Sequence, residues 1–227
     1  MSLFENETEE HWIPLADIMT GLMLIFLFIA FSYIVKIRGD TANLRKMHEL
    51  AVSQKAGDAQ AKKQIYIALV EEFKNDLTSW QAEVNQSDLT VNFYAPEVLF
   101  DTGQAILKPR FKGVLKDFLP RYLKVLRSHE GNIAAVSVDG YASAVWGNLQ
   151  STDQIYLDNL QLSQHRSLNV LLFLHQIAAD NDDLVFLRNH FTTSSFSSMN
   201  AIHNNDGSDN LQKSQRVEFK IIFKGTK

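Results

Sequence analysis

Ile13-Pro14-Leu15-Ala16-Asp17-Ile18-Met19-Thr20-Gly21-Leu22-Met23-Leu24-Ile25-Phe26-Leu27-Phe28-Ile29-Ala30-Phe31-Ser32-Tyr33-Ile34-Val35 is the stretch on which the reading of this chain turns. About 20 apolar residues at ~1.5 Å rise span the ~30 Å hydrocarbon core of a bilayer, so the run reads as a transmembrane helix over residues 13–37. Trp12 and Tyr33 stand near its ends, as interfacial aromatics do. Pro14 fits the first helical turn, where no N–H is needed. A cleaved signal peptide would need a basic start and a small-residue cleavage site. Here the preceding residues are acidic and the run ends in Tyr33-Ile34-Val35-Lys36, so the helix reads as a retained anchor.

Asp17 is the exception within this run. An ionisable side chain inside a span costs about 2.5–3.5 kcal/mol on insertion scales and marks an ion pathway, a proton relay or a partner contact. Thr20 and Gly21 come at i+3 and i+4, giving one narrow, partly polar helix face. A helix N-cap at the water interface is the plainer reading of the same acid. Beside the span, Lys36, Arg38, Arg45 and Lys46 all lie on its C-terminal side. Counted alone, these charges place that side in the cytoplasm.

Beyond the span, residues 38–86 are charged and rich in Ala, Gln, Lys and Glu, and read as a helical spacer. Gly39-Asp40 suggests a break after the membrane helix, and Gly57 a weak point further on. Ile65, Leu69, Phe73, Leu77, Trp80 and Val84 recur at helical spacing, a face able to pair with a second copy or to pack on the C-terminal domain.

From residue 87 the texture becomes that of an α+β domain. Leu89–Tyr94, Ile133–Tyr141 and Gln215–Phe223 alternate as strands, and Leu184–Phe191 reads as another. Pro109–Arg127 and Leu160–Ala179 read as helices, with Pro120 expected to kink or divide the first. Residues 143–158 and 192–211 read as loops. Helices of this length between strands predict a helical layer on a mixed sheet.

Composition excludes much. The net charge of −4 gives no reason to expect nucleic acid. With no Cys there is no disulfide framework and no thiolate site. The seven His are scattered without metal-ligand spacing, and Asp101-Thr102-Gly103 lacks the context of an aspartic protease. No catalytic residues, metal site or cofactor are expected, and the chain does not read as an enzyme.

Several motifs carry a resemblance. Leu99-Phe100-Asp101-Thr102-Gly103 with Leu107-Lys108-Pro109, Val138-Asp139-Gly140, Asn159-Leu160-Gln161-Leu162-Ser163-Gln164-His165-Arg166 and Gln215-Arg216-Val217-Glu218 make the C-terminal part similar to the OmpA-like peptidoglycan-binding domain. Pro14-Leu15-Ala16-Asp17-Ile18-Met19-Thr20 resembles the start of the one transmembrane helix of MotB-type stator subunits. Within that group the short N-terminus and the domain loops look more like the B subunits of Zorya anti-phage systems than like flagellar ones.

The resemblance implies a short cytoplasmic tail (1–12), a single inner-membrane span (13–37), a spacer (38–86) and a periplasmic OmpA-like domain (87–227). It implies a homodimer inside a ring of A-type (ZorA- or MotA-like) stator subunits, with Asp17 and Thr20 binding a translocated proton, sodium being second choice. It implies that Asn159, Leu162 and Arg166 contact the peptidoglycan stem. Where the family reads Gly-His-Thr-Asp, this chain has Gly140-Tyr141-Ala142-Ser143, so the acid that would bind the stem's amine is missing. Asp153 and Asp158 are the nearest alternatives. A flagellar-type or other stator subunit, and a passive wall anchor without ion traffic, are the alternatives to an anti-phage motor.

Overall fold

In the computed structural model, residues 12–94, 96–142, 151–199, 202–204, 206–208 and 210–224 are described. The chain divides into two compact units, Met1–Ala56 and Gly57–Lys227. Helix α1 covers Trp12–Phe73. In the first unit it continues through Gly39-Asp40, where the sequence suggested a break. A single Gly costs a helix interior only about 1 kcal/mol, which its helix-forming neighbours outweigh. The large apolar side chains from Leu15 to Val35 are exposed, so no protein surface in this unit covers them. Among the described residues this is the one helix long and apolar enough to cross a membrane.

The second unit is built on a five-stranded sheet in the order β1-β2-β5-β3-β4. The strands are β1 (Ala82–Asn85), β2 (Thr90–Phe93), β3 (Ile133–Gly140), β4 (Phe191–Ser195) and β5 (Val217–Phe223). Only the β3–β4 pair is parallel; the other pairs are antiparallel. Register sets Val91 and Val138 against Phe219 from either side, and Val136 against Ile221. One face of the sheet is therefore apolar, because side chains alternate with a period of two.

Helix α4 (Pro109–Arg127) lies on that face with Phe111, Leu115, Phe118, Leu119 and Tyr122 buried. Phe118 is the hub: its ring sits 5.2 Å from Phe93, 5.1 Å from Phe219, 4.6 Å from Tyr122 and 5.2 Å from Phe73. Burying one such side chain contributes about 1.5–3 kcal/mol. Pro120 neither ends nor divides α4; it lies on the exposed side, while the buried stripe runs uninterrupted past it. Ile65, Leu69 and Phe73, at the end of α1, are fully buried in the same core. The apolar face read from the sequence thus packs on the domain. Arg121 fastens it there, bonding Glu72 at 2.8 Å and Asp76 at 2.9 Å while lying over the Phe73 ring.

Three local readings are corrected. Leu184–Phe191 is not a strand: α6 spans Asn181–His190, and β4 begins only at Phe191. The Asp180 side chain caps the helix by accepting from the Asp183 N–H at 2.8 Å, and Asp182 and Asp183 sit in the first turn, where carboxylates favour the helix dipole. These acids outweigh the strand-like run behind them. The stretch read as a loop up to residue 158 is helical from Thr152, because Ser151 caps α5 (Thr152–Ile177) through the Gln154 N–H at 3.3 Å. Residues 192–195, also read as loop, pair with β3 as part of β4. A further correction is β1: it falls within residues 38–86, read as helical, so Val84 is a strand residue and not the last of a helical face. Short helices α2 (Leu77–Trp80), α3 (Pro96–Leu99) and α7 (Leu211–Ser214) complete the unit.

The Tyr122 hydroxyl is sealed in the core with no hydrogen-bond partner among the described residues. An orphaned buried hydroxyl costs about 1–3 kcal/mol, while the ring itself packs well. Tyr122→Phe is therefore expected to stabilise the second unit by about 1 kcal/mol in chemical denaturation of the detergent-solubilised chain. A loss of stability would contradict this account of the core.

Candidate functional site

Helix α5 meets the end of β3 at unusually short range. A Cβ on residue 140 would overlap the backbone carbonyl oxygen of Ser163, so only Gly fits. Ser197 ties the same region together. Its N–H donates to Ser163 Oγ at 3.3 Å, its hydroxyl donates to the Tyr156 carbonyl at 2.9 Å, and its carbonyl accepts from Ala142 N–H at 2.8 Å. It does so from a left-handed backbone, with φ +51°.

Asn159, Leu162 and Arg166 lie on α5 at i, i+3 and i+7, and so share one face of the helix. Asn159 is fully buried, Leu162 half-buried, and Arg166 only 3% exposed. The Arg166 Nε–H donates to the Gln104 carbonyl at 3.0 Å, and its guanidinium lies 4.8 Å from the centre of the Phe100 ring. One turn on, Asn169 Nδ2 donates to the Ala105 carbonyl at 2.8 Å. Two α5 side chains thus hold the loop between Phe100 and Leu107, which pair as an isolated antiparallel bridge. Gly103 turns that loop with φ +69°, a conformation that favours glycine.

Among the described residues no carboxylate pairs with Arg166. Burial pushes its pKa down to about 10, which leaves it protonated at neutral pH. A buried guanidinium with open N–H groups can accept a carboxylate in a two-pronged contact. Phe100, Gln104, Ser163 and Ser197 were not singled out as site residues from the sequence. The first two stand within or next to the Leu99–Gly103 motif. Ser197 carries no sequence signal, since its role arises from backbone geometry. Ser143 lies outside the described residues.

Behind this site the second face of the sheet is polar yet buried. Asp139 on β3 stands opposite Glu218 on β5 and is 2% exposed. Glu218 is paired with Arg216 at 2.6 Å, and Arg216 lies 3.7 Å from the centre of the Tyr141 ring, which stacks on Phe196. Asp139 accepts from the Ser137 hydroxyl instead of a cation. Burial, and then the neighbouring Glu218 charge, raise its pKa above the ordinary carboxylate range.

In the first unit Asp17 and Thr20 are both exposed on α1, one turn apart. The Thr20 hydroxyl donates to its own helix, at the Ala16 carbonyl, 2.7 Å away.

An apolar helix joined in one chain to a mixed five-stranded sheet under two long helices defines the class: a single-span membrane protein with an OmpA-like α+β domain. The fold matches a MotB like protein from Desulfovibrio vulgaris with a TM-score of 0.52 at 19% identity, over 76% of this chain and 97% of that one. The cell wall anchor of the T6SS from Pseudomonas aeruginosa aligns with a TM-score of 0.47 at 19% identity, over 69% of this chain and 97% of that one. No protein-family model matches. In sequence the chain is 36% identical to the Zorya protein ZorB of Escherichia coli (strain Crooks), over 96% of its own length and 90% of that protein's. The chain belongs to the ZorB family.

The close approach at residue 140 and the buried acid beside it can each be tested. Gly140→Ala is expected to push α5 off β3 and destabilise the second unit by about 1–3 kcal/mol or more, since a backbone carbonyl cannot yield as a side chain can. An unchanged melting midpoint would refute the close approach. Because the folded state raises the Asp139 pKa, this residue favours folding below its unfolded pKa and loses that contribution as pH rises through the folded value. Asp139→Asn is therefore expected to melt above the parent at pH 7, with the gap closing as the pH approaches the ordinary carboxylate range. Equal melting at both pH values would show that burial imposes no such cost.

Proposed function

We propose that this chain is the B subunit of an ion-driven stator in an anti-phage defence complex. The observation that carries the reading is the union, in one ZorB-family chain, of an acid in an apolar helix with an OmpA-like domain holding a buried Arg166 that meets no carboxylate among the described residues. In this reading residues 1–12 are cytoplasmic, 13–37 cross the bacterial inner membrane, 38–86 form a link whose later part packs into the domain, and 87–227 make up the rest of the periplasmic domain. Two copies sit within a ring of A-type subunits. The Lys/Arg count beside the span favours the opposite orientation, and assembly with the A ring overrides it.

Asp17 takes a proton from one side and releases it to the other, with Thr20 beside it on the same helix face. One charge crossing 100 mV releases about 2.3 kcal/mol, so repeated loading and release drives the ring against a fixed axle. The axle is held by peptidoglycan. Asn159, Leu162 and Arg166 grip the stem peptide, with the Arg166 guanidinium on a carboxylate.

Asp17→Asn removes the titrating group while keeping the side chain's size. It is expected to abolish protection in a phage-challenge assay while the A–B complex still co-purifies. Full protection by this variant would end the ion-motor reading. If Arg166→Ala alone were harmful, a passive wall anchor would remain.

A further inference from the structure

Arginines packed into this domain are paired with acids: Arg216 with Glu218, Arg127 with Asp183, and Arg121 with Glu72 and Asp76. Arg166 departs from that pattern. It is as buried as Arg216, yet its one protein acceptor among the described residues is the Gln104 carbonyl. A guanidinium carries five N–H donors, so four remain without a described acceptor. Neither terminal nitrogen is a sealed atom lacking a partner, as the Tyr122 hydroxyl is.

Among the described residues, the acids nearest Arg166 in the chain and the fold each have a partner already or lie further along α5. Asp101, in the loop that Arg166 holds, is paired with Lys108 at 2.8 Å. Asp158 accepts from Gln154 Nε2 at 2.8 Å and lies eight residues back along α5, ~12 Å at 1.5 Å per residue. Asp153 is exposed in the first turn of α5, ~20 Å back on the same measure. The stretch 143–150, Ser-Ala-Val-Trp-Gly-Asn-Leu-Gln, contains no acidic residue at all. Asp139 and Glu218 are buried, Glu218 with its own cation.

We infer that the Arg166 site reads a single carboxylate and is indifferent to any ammonium group the ligand carries. The inference rests on the wall-binding reading above and adds its specificity. The site takes a stem peptide through a free carboxylate, whether the neighbouring amine is free, acylated or cross-linked. It therefore binds cross-linked wall, whose stem amines are consumed in peptide bonds, as well as uncross-linked wall.

The test uses the full-length chain in detergent, pelleted with purified sacculi in three forms: untreated, N-acetylated to block amines, and amidated to neutralise carboxylates. Binding to the N-acetylated sacculi is expected within about 2-fold of untreated, and amidation is expected to weaken it by roughly 10-fold or more, the scale of one charge-assisted two-pronged contact. Arg166→Lys, which keeps the charge but loses the fork, is expected to show the same loss on untreated sacculi while the chain keeps its folded circular-dichroism spectrum. Loss of binding on N-acetylation would overturn the inference while leaving wall binding intact. Binding insensitive to amidation would also overturn it. No pelleting with untreated sacculi would overturn the wall-binding reading itself, and the inference with it.

Discussion

Helix α5 lies on strand β3 at the one place where the strand has no side chain. Gly140 brings its backbone against the Ser163 carbonyl, and nothing larger would fit. The rest of the candidate site inherits its position from this contact. Ser163 then meets Ser197, Ser197 meets Tyr156 and Ala142, and the helix is fixed at both the strand end and the loop after β4. With the helix pinned, Arg166 and Asn169 reach the carbonyls of Gln104 and Ala105 on the far loop. A close backbone approach costs little when the residue is Gly, and the contacts it permits are directional.

The two faces of the sheet divide the labour. The apolar face, with Phe93, Val138 and Phe219, carries the core and anchors both α4 and the end of α1. The polar face buries Asp139, Asn92, Arg216 and Glu218, groups that gain little net stability from being there. Their arrangement comes from register: Asp139 opposite Glu218 is a consequence of which residues β3 and β5 align. The Arg216–Glu218 pair and the Tyr141–Phe196 stack lie at the end of the sheet where β3 stops.

Much of this was legible in the sequence. The apolar run, the alternation of Val217–Phe223 and the stripe through Leu115, Phe118, Leu119 and Tyr122 are periodic, and periodicity is a direct product of helix and strand geometry. The resemblance in Asn159–Arg166 named three candidate residues, and α5 carries them on one helix face. What the sequence misread were short elements whose local signals conflict. Leu184–Leu187 looks like a strand until the Asp180 cap is weighed, and Thr192–Ser195 looks like a polar loop until β3 offers it hydrogen bonds.

By itself, then, the sequence determined that one segment must leave water for lipid and that an α+β domain comes after it. These are matters of composition and local period, and each residue votes independently of distant ones. Only the tertiary structure decided that the end of α1 joins the domain core, that Arg166 is buried on Phe100, and that Asp139 faces Glu218. Each of these depends on residues far apart in the chain, brought together by strand register and by one glycine's missing side chain. Desolvation and charge pairing exist only once that packing is complete.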